Sequence, residues 1–510
     1  MTTHQPTTHR APLGPARVLR LALVLLSLSF LAVIFGAGLA QFHEDPSFVL
    51  TVAFLCAVAP FIWRFPQLGL YLLAGGAAAI ETFRLRFPDS VTDVIPFFRS
   101  LDSLGSPFPA PASPGEILAV GTIAVVVLKR LSAGHAPLEK SPLFPPLAAL
   151  LVLTAIGVAR GLAAGGDLST AIFEARAALY LSVAVLLAYN LVHTERHVRV
   201  LLWVLLGTIA VKSFLGMWRY LVTLDGDLSL AGSLSPNTNA LFAHEESVFF
   251  AFFLMFLFAA FLFRAGKAQR LFALAFSFPV LLALLANERR AGIVILAAGL
   301  LVIAFAVFAL EPSRRRFLVR AAMAALLIAP VYFAAFAGND GILGQPARAV
   351  VSLFTPDQRD ESSNEYRVIE YENVRLTIME SPVLGAGYGV PFTMYEPLPD
   401  ISESYTFWDT VPHNTLMWVW LRLGIVGLIV FWFFVGRSII ASALSAKTTT
   451  SPYLRSIAVL AIAATVGWLL MGAVDVGLAN VRLAILTGVL LGVAARVPLI
   501  EAGKAEAAER

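Results

Sequence analysis

Residues 271–310 decide the fold class of this chain: LFALAFSFPVLLALLANERRAGIVILAAGLLVIAFAVFAL. Two long apolar runs follow one another here, with only the short turn at 287–292 between them. The whole chain of 510 residues is 58% hydrophobic and 14% charged, with 38 Phe against 6 Lys, whereas a soluble protein carries about 25% charged residues. The sequence therefore predicts an integral membrane protein and excludes soluble enzymes, nucleic-acid-binding proteins and secreted disulfide scaffolds.

The apolar runs predict an all-α, polytopic membrane protein with about 12–14 transmembrane helices, because about 17–25 apolar residues cross a bilayer. Twelve spans with a re-entrant or interfacial pair remain an alternative to fourteen, since the second to fourth runs are short and Pro60 and the Gly75–Gly76 pair weaken two of them. The first run is longer than the apolar core of a signal peptide, and we interpret it as an uncleaved signal anchor. The candidate spans are 21–40, 48–63, 68–83, 115–128, 143–161, 171–191, 200–218, 247–263, 271–286, 292–310, 317–337, 413–434, 456–474 and 482–497.

The distribution of basic residues predicts the orientation of the chain. With the N-terminus inside, 22 of the 37 Lys and Arg residues fall in cytoplasmic segments. The remaining ones are almost all arginine, which suits bidentate recognition of phosphate or carboxylate, although a GC-rich genome would give the same bias. We divide the chain into an N-terminal transmembrane bundle of about eleven spans (1–337), a large outer loop (338–411), and C-terminal transmembrane helices with a short cytoplasmic tail (412–510).

The large outer loop contains a helix signal of its own. Ser362 and Glu365 have the spacing of a capping box, which predicts a helix over Glu365–Met379 that ends at Ser381-Pro382. Arg367, Tyr371 and Arg375 are spaced four apart and are expected to share one face of this helix. The loop is therefore predicted to be an ordered cap over the outer membrane face.

Pro412-His413-Asn414 precedes the apolar run that leads to Gly424. Proline is favourable in a first helical turn, which would place His413 at a helix N-terminus. The helix dipole would then lower the pKa of the imidazole and favour its neutral form, which can accept a proton. The alternative is a histidine that only makes structural hydrogen bonds at the membrane interface.

Several charged residues lie at or within the predicted spans. Arg289 and Arg290 occupy the tight turn between the ninth and tenth runs. Two roles are open for them: they bind a ligand, or they only keep the two helices from sliding into the membrane. Arg219 ends the seventh run among interfacial aromatic residues. His244, Glu245 and Glu246 are interpreted as caps of the next run. Further charged residues are predicted to form ion pairs inside the bundle, although the sequence does not identify the partner of each: Glu174, Arg176, Lys212, Arg422 and Asp475.

The order of these motifs resembles the O-antigen ligase and Wzy-type O-antigen polymerase superfamily. The motif-bearing part covers about 285–435, and a Gly-x-x-x-Pro-Asn turn lies upstream of it. The residues that carry the resemblance are Gly232–Asn237, Arg289-Arg290-Ala291-Gly292, Tyr366-Arg367, Glu380–Gly389, His413-Asn414-Thr415-Leu416 and Gly424-Ile425-Val426-Gly427. Two departures are Asp227–Ser229, where the family has an arginine before the upstream turn, and Arg422, where many members have glutamate.

The resemblance implies a bacterial inner-membrane enzyme with a GT-C-like helical fold and one large periplasmic loop. Known members use undecaprenyl-diphosphate-linked glycans at the periplasmic face without a nucleotide sugar, and the ligases among them without a required metal, so we expect no cofactor. Matched by position, His413 corresponds to the family's essential loop histidine, Arg290, with Arg289 as the alternative, to the arginine after the ninth run, and Arg219 to a second arginine. The resemblance implies that His413 is the base that activates the acceptor hydroxyl and that Arg290 and Arg219, helped by Arg367, hold the diphosphate. Further substrate-binding residues are predicted to be Arg289, Arg367, Asn414 and Arg375.

The acceptor is expected to be lipid A–core, for a ligase, or a growing polysaccharide, for a polymerase, and membrane lipids surround the protein. The motifs do not separate these two activities, because both share the donor chemistry. A protein O-oligosaccharyltransferase shares the same core, and a polysaccharide flippase or other transporter would use the buried charges to line a pathway. No nucleic-acid partner is expected.

Overall fold

A computed structural model describes residues 47–82, 92, 94–104, 111–227, 241–339, 341–352, 354–355, 358–403 and 405–509. Every regular element within these ranges is helical. The predicted first span at 21–40 and the turn at 232–237 lie outside the described residues.

The described α-helices are numbered here in chain order. Leu101–Leu104 forms a 3-10 turn between α2 and α3, and Arg219–Thr223 forms a π turn at the end of α6. The helices are α1 (Ser47–Arg64), α2 (Gln67–Ala79), α3 (Pro114–Ser132), α4 (Phe144–Ala163), α5 (Leu168–Leu191), α6 (Glu195–Trp218), α7 (Glu246–Leu262), α8 (Lys267–Ala286), α9 (Arg290–Leu310), α10 (Arg315–Phe336), α11 (Gln345–Val351), α12 (Gln358–Glu380), α13 (Thr415–Thr448), α14 (Pro452–Val474) and α15 (Val481–Glu509).

Nine helices in the described ranges are long and apolar enough to cross a membrane, and α1, α2 and α7 are shorter apolar helices. In α3, an apolar centre is flanked by Glu116 at its start and by Lys129 and Arg130 at its end. The prediction of an all-helical, polytopic membrane protein is confirmed. The span count of 12–14 and the GT-C-like arrangement stay predictions.

The centre of the bundle is α15, and α10 lies at its edge. In α15, 89% of the apolar window is buried inside the protein, against 6% in α10. Gly488 and Gly492 of α15 lie against the backbone of α5, where a Cβ at Gly492 would come within 2.6 Å of the Val185 carbonyl oxygen. Small residues permit such close helix contact in a membrane, where burial of apolar surface cannot drive association.

Two C-terminal helices differ from their predicted bounds. The predicted span at 413–434 is part of α13, which continues to Thr448 and changes direction at Gly424, where φ is 65°. The predicted span at 482–497 is part of α15, which continues to Glu509, so the residues assigned to a short tail are helical. Hydropathy marks the apolar part of a helix and not its hydrogen-bonded end.

The described part of the segment 338–411 contains the helices α11 and α12. The prediction that its main helix begins at a capping box is wrong, because α12 starts at Gln358 and contains Ser362 and Glu365. The predicted end at Ser381-Pro382 is confirmed, since α12 ends at Glu380. We call the end of the bundle where this segment lies the loop side.

Candidate active site

Glu370 and His413 form the centre of the site on the loop side. The Nδ1 of His413 lies 3.0 Å from Glu370 Oε1, and the backbone N–H of His413 donates to Oε2 of the same carboxylate at 2.9 Å. The Glu370 side chain is fully buried, and that of His413 is 18% exposed. Since a carboxylate accepts hydrogen bonds, Nδ1 carries its proton towards Glu370, and Nε2 is the ring nitrogen left for a substrate.

His413 lies just before the first turn of α13 and not inside it. Asn414 is the N-cap of α13, and its Oδ1 accepts hydrogen bonds from the backbone N–H groups of Leu416 and Met417 at 3.2 and 3.1 Å. The prediction that Pro412 belongs to the first helical turn is therefore wrong. Asn414 orients the start of the helix next to His413, and its role as a substrate ligand stays a prediction.

The pKa of His413 is raised above its ordinary value, contrary to the expectation that the helix dipole would lower it. Burial opposes the charged ring, but the hydrogen bond to Glu370 and the negative charges of Glu370 and Asp475 outweigh burial and the opposing charge of Arg367. A dipole acts as about half a charge at the helix end, and two full negative charges exceed it. The neutral ring is thereby a stronger base.

Two tyrosines surround the imidazole of His413. The ring centroids of Tyr366 and Tyr405 each lie 5.8 Å from that of His413. Burial, and then the charge of Glu370, raise the pKa of Tyr366, so its phenol keeps its proton. Within the described residues the buried Tyr366 hydroxyl has no hydrogen-bond partner. The site therefore contains a hydroxyl donor beside the proposed base.

A second histidine–carboxylate pair lies next to the first. His244 Nδ1 contacts Asp475 Oδ2, and 37% of the His244 side chain is exposed. Burial opposes ionisation of Asp475, but the charge and hydrogen bond of His244, with the charges of His413 and Arg367, hold the pKa of Asp475 well below its usual range. The sequence predicted a helix-capping role for His244 and gave no signal for this contact.

The arginine turn lies at the start of α9. Arg290 is the first residue of α9, and its Nη1 donates to Ser352 Oγ at 3.0 Å. Arg289 is the residue immediately before the helix. Glu288 pairs with Arg348 of α11 at 3.3 Å. The turn is therefore joined to the loop segment that covers this end of the bundle.

Asn287 connects the arginine turn to the segment that carries the second histidine. Its Oδ1 accepts the backbone N–H of Phe242 at 2.8 Å, while its Nδ2 donates to the Ala243 carbonyl at 3.2 Å and to Ser247 Oγ at 2.8 Å. Asn287 is fully buried. The segment around His244 is therefore held between the arginine turn and the His413 pair.

Arg219 begins the π turn at the end of α6 and is 6% exposed. Its guanidinium lies 5.7 Å from the centroid of the Phe242 ring, beside the Asn287 contacts. Such π segments occur frequently at functional sites. The predicted catalytic residues Arg219, Arg290 and His413 therefore all lie on the loop side, and their catalytic roles stay predictions.

The two arginines predicted on α12 occupy different surroundings. Arg367 is half-buried, and its charge acts on both His413 and Asp475. Arg375 is exposed and pairs with Glu372 at 2.6 Å. Because Arg367 acts on His413 and Asp475, a role as substrate ligand is better supported for Arg367 than for Arg375. Both roles remain predictions.

Arg422 fastens the loop to the bundle. Its Nε donates to Glu174 Oε1 of α5 at 2.7 Å, and its Nη atoms donate to the carbonyl oxygens of Gly387, Val390 and Thr410 at 2.9, 2.7 and 2.6 Å. Arg422 and Glu174 are fully buried. Arg422, which departs from the family pattern, thus has Glu174 as a buried carboxylate partner. Through its bonds to Val390 and Thr410 it also holds both ends of the stretch 390–410.

The glycines at 385–389 let the loop approach α4 closely. Gly387 has φ of 90°, and a Cβ there would come within 2.4 Å of the Gly161 backbone nitrogen. The Gly389 N–H donates to Glu174 Oε2 at 2.6 Å. Glycine is required at such a contact because any side chain would push the two backbones apart.

A metal centre is not formed by the described residues: no three His, Cys, Asp or Glu side chains come together there as ligands. The expectation that no cofactor is needed stays a prediction.

The fold and the site define a class: a polytopic helical membrane protein with an ordered loop over a histidine–carboxylate pair and several arginines. The family model for O-antigen ligase matches residues 272–432. The match covers the arginine turn, the loop helices and the His413 motif, and it confirms the resemblance to the O-antigen ligase and polymerase superfamily. A search of the curated proteins finds no match. The family supports a membrane glycosyltransferase-type enzyme that acts on lipid-linked glycans.

Proposed function

We propose that this protein transfers a glycan from an undecaprenyl-diphosphate-linked donor to an acceptor hydroxyl at the periplasmic face of the inner membrane, as an O-antigen ligase or polymerase. The observation that carries the proposal is the Glu370–His413 pair, with Nδ1 of the ring 3.0 Å from the carboxylate. The family match over 272–432 supports the class of reaction.

His413 is the general base in this proposal. Nε2 takes the proton of the acceptor hydroxyl while the hydroxyl oxygen bonds to the anomeric carbon of the donor sugar. The bond from that carbon to the diphosphate oxygen breaks, and its electron pair stays on the diphosphate. Because the acceptor attacks opposite to the leaving group, this direct displacement inverts the anomeric centre. Glu370 fixes the ring and stabilises the imidazolium that forms.

The arginines stabilise the leaving diphosphate. Arg290 and Arg219 present planar guanidinium groups on the loop side, and such groups bind phosphate oxygens in pairs. Arg289 and Arg367 are further ligands in this scheme. Fixed positive charges in a site of restricted water access stabilise the negative charge that develops on the diphosphate.

The test is a reconstituted assay in lipid nanodiscs with an undecaprenyl-diphosphate-linked glycan as donor. Lipid A–core, a second lipid-linked glycan and a serine-rich peptide are offered as separate acceptors. Transfer to lipid A–core identifies a ligase, extension of the lipid-linked glycan identifies a polymerase, and NMR of the new linkage reports inversion. A folded protein that releases no undecaprenyl diphosphate with any acceptor would contradict the proposal.

A further inference from the structure

A cavity of about 890 Å³ lies on the loop side of the bundle, beside the start of α5. Its walls include Asp102–Leu104 of the 3-10 turn, several residues of α5 between Leu168 and Arg176, and Phe407, with Arg99 also in the lining. Sites for small molecules measure about 300–1,000 Å³. The cavity is large enough for a short carbohydrate chain.

The lining of the cavity combines groups that suit a sugar. Asp102, Ser103 and Ser169 are exposed and line the cavity. The Asp102 carboxylate can accept hydrogen bonds from sugar hydroxyls, the Ser103 hydroxyl can accept while it donates to the Ser100 carbonyl at 2.7 Å, and the Ser169 hydroxyl can donate and accept. Phe173 and Phe407 supply an apolar wall. A pyranose ring has hydroxyl groups at its edge and C–H groups on its faces, so it needs both kinds of contact.

Aromatic contacts connect this cavity to the proposed base. Phe407 stacks on Phe173 with ring centroids 3.8 Å apart and planes at 8°. The Tyr405 ring lies 6.4 Å from that of Phe407 and 5.8 Å from that of His413. The side chain of Tyr405 therefore links a wall of the cavity to the imidazole.

The contacts that connect the arginine turn to His413 involve other residues than those that connect the cavity to His413. They run from Asn287 to Ala243, and from His244 through Asp475 to His413. None of these residues lines the cavity. In an inverting displacement the acceptor and the leaving group approach the anomeric carbon from opposite faces, so the acceptor needs a location separate from the diphosphate.

We propose that this cavity, which we call the α5 cleft, binds the acceptor glycan and presents its terminal hydroxyl to His413; this inference rests on the proposed function. The ligand class is a carbohydrate chain with several free hydroxyl groups. Asp102, Ser103 and Ser169 bind those hydroxyls, and Phe173 and Phe407 contact the sugar faces.

The test fills the α5 cleft with a Ser169→Trp substitution. Ser169 is exposed in the first turn of α5, so the larger side chain occupies the cleft without entering the core. The matched control is Ala164→Trp, at an exposed position in the preceding turn that does not line the cleft. Asp102→Asn is a second variant that removes a charge and keeps the size of the side chain.

Two measurements are made on the full chain in nanodiscs. The first is the steady-state KM for acceptor and for donor. The second is binding, without donor, of the water-soluble oligosaccharide released from the envelope polysaccharide of the source organism by mild acid, followed by saturation-transfer NMR. We expect Ser169→Trp to raise the acceptor KM and weaken oligosaccharide binding at least about tenfold, because the indole occupies part of the cleft and the hydrogen bonds of the serine hydroxyl are lost. The donor KM should be unchanged, and Asp102→Asn should act in the same direction.

An unchanged acceptor KM and unchanged oligosaccharide binding in Ser169→Trp would overturn the α5 cleft as the acceptor site. An equal loss in Ala164→Trp would also overturn it, because that loss would come from general distortion. Oligosaccharide binding that depends on Ser169 in a protein that transfers no glycan would instead overturn the proposed function and support the cleft.

Discussion

The Glu370 carboxylate binds His413 at two points, accepting a hydrogen bond from the ring Nδ1 at 3.0 Å and from the backbone N–H at 2.9 Å. Rotation of the ring and movement of the chain at His413 are therefore limited by the same side chain. Because Glu370 lies on α12 and His413 precedes α13, the pair exists only when the loop is docked on the bundle.

Glu370→Gln should shift the acid limb of the pH profile of kcat/KM to lower pH. The carboxylate raises the pKa of His413 against the effect of burial, so its removal lets burial lower that pKa, and the ring stays neutral in more acidic buffer. The plateau rate should fall about 10–100-fold, because an orienting partner of a histidine is lost. An acid limb at the wild-type pH would refute this role for Glu370.

His413→Gln should reduce kcat by about 10²–10⁴-fold, the usual contribution of a general base. Glutamine keeps a hydrogen-bonding side chain but cannot take up a proton near neutral pH. The control is His135→Gln, at an exposed position between α3 and α4. Transfer rates and thermal unfolding are measured together, and substantial turnover by the His413 variant would remove the residue from the base role.

Arg290→Lys should lower kcat/KM for the lipid-diphosphate donor by about tenfold or more, since the charge remains but the paired donors of the guanidinium are lost. The acceptor KM should change little. Arg316→Lys, at an exposed position on α10, is the matched control. Near-normal donor kinetics in Arg290→Lys would favour a role in positioning the helix.

The predicted orientation places the loop in the periplasm and the turn between α3 and α4 in the cytoplasm. Cys56 is the chain's single cysteine, so a Cys56→Ser background allows labelling at chosen sites. We expect Ser402→Cys to react with a membrane-impermeant maleimide added outside spheroplasts, and His135→Cys to react only after lysis. The reverse pattern would place Glu370 and His413 on the cytoplasmic side and contradict the proposed reaction.

Arg422→Leu should destabilise the protein by about 3–5 kcal/mol, because the Glu174 carboxylate is left buried without its cation. The loop should also lose its anchor and become sensitive to protease within 382–411. Thermal unfolding in detergent and limited proteolysis report the two effects. Arg437→Leu, at an exposed position further along α13, should change neither.

Hydropathy predicted the helical class because each span must satisfy its backbone hydrogen bonds internally. The Ser362–Glu365 spacing indicated the helix of the large loop, although with the wrong start, since such a spacing can occur within a helix as well as at its end. The bounds of α13 and α15 were set too short because both helices continue into less apolar sequence. Local pattern therefore located these elements better than it located their ends.

The partners of the charged residues could not be predicted, because they are far apart along the chain. Glu370 and His413 are 43 residues apart, and Glu174 and Arg422 are 248 apart. One signal for Glu370 was available, since it follows Tyr366 by four residues and shares its helix face. The direction of the His413 pKa shift was wrong for the same reason: the dominant charges come from other elements.

Arg422 binds the carbonyl oxygens of Val390 and Thr410, on either side of Tyr405 and Phe407. Both ends of this stretch are therefore attached to α13 through backbone carbonyl groups, which every residue type possesses. Side chains between the two ends can change without removing either attachment, whereas a change at Tyr405 would also alter the surroundings of the His413 ring.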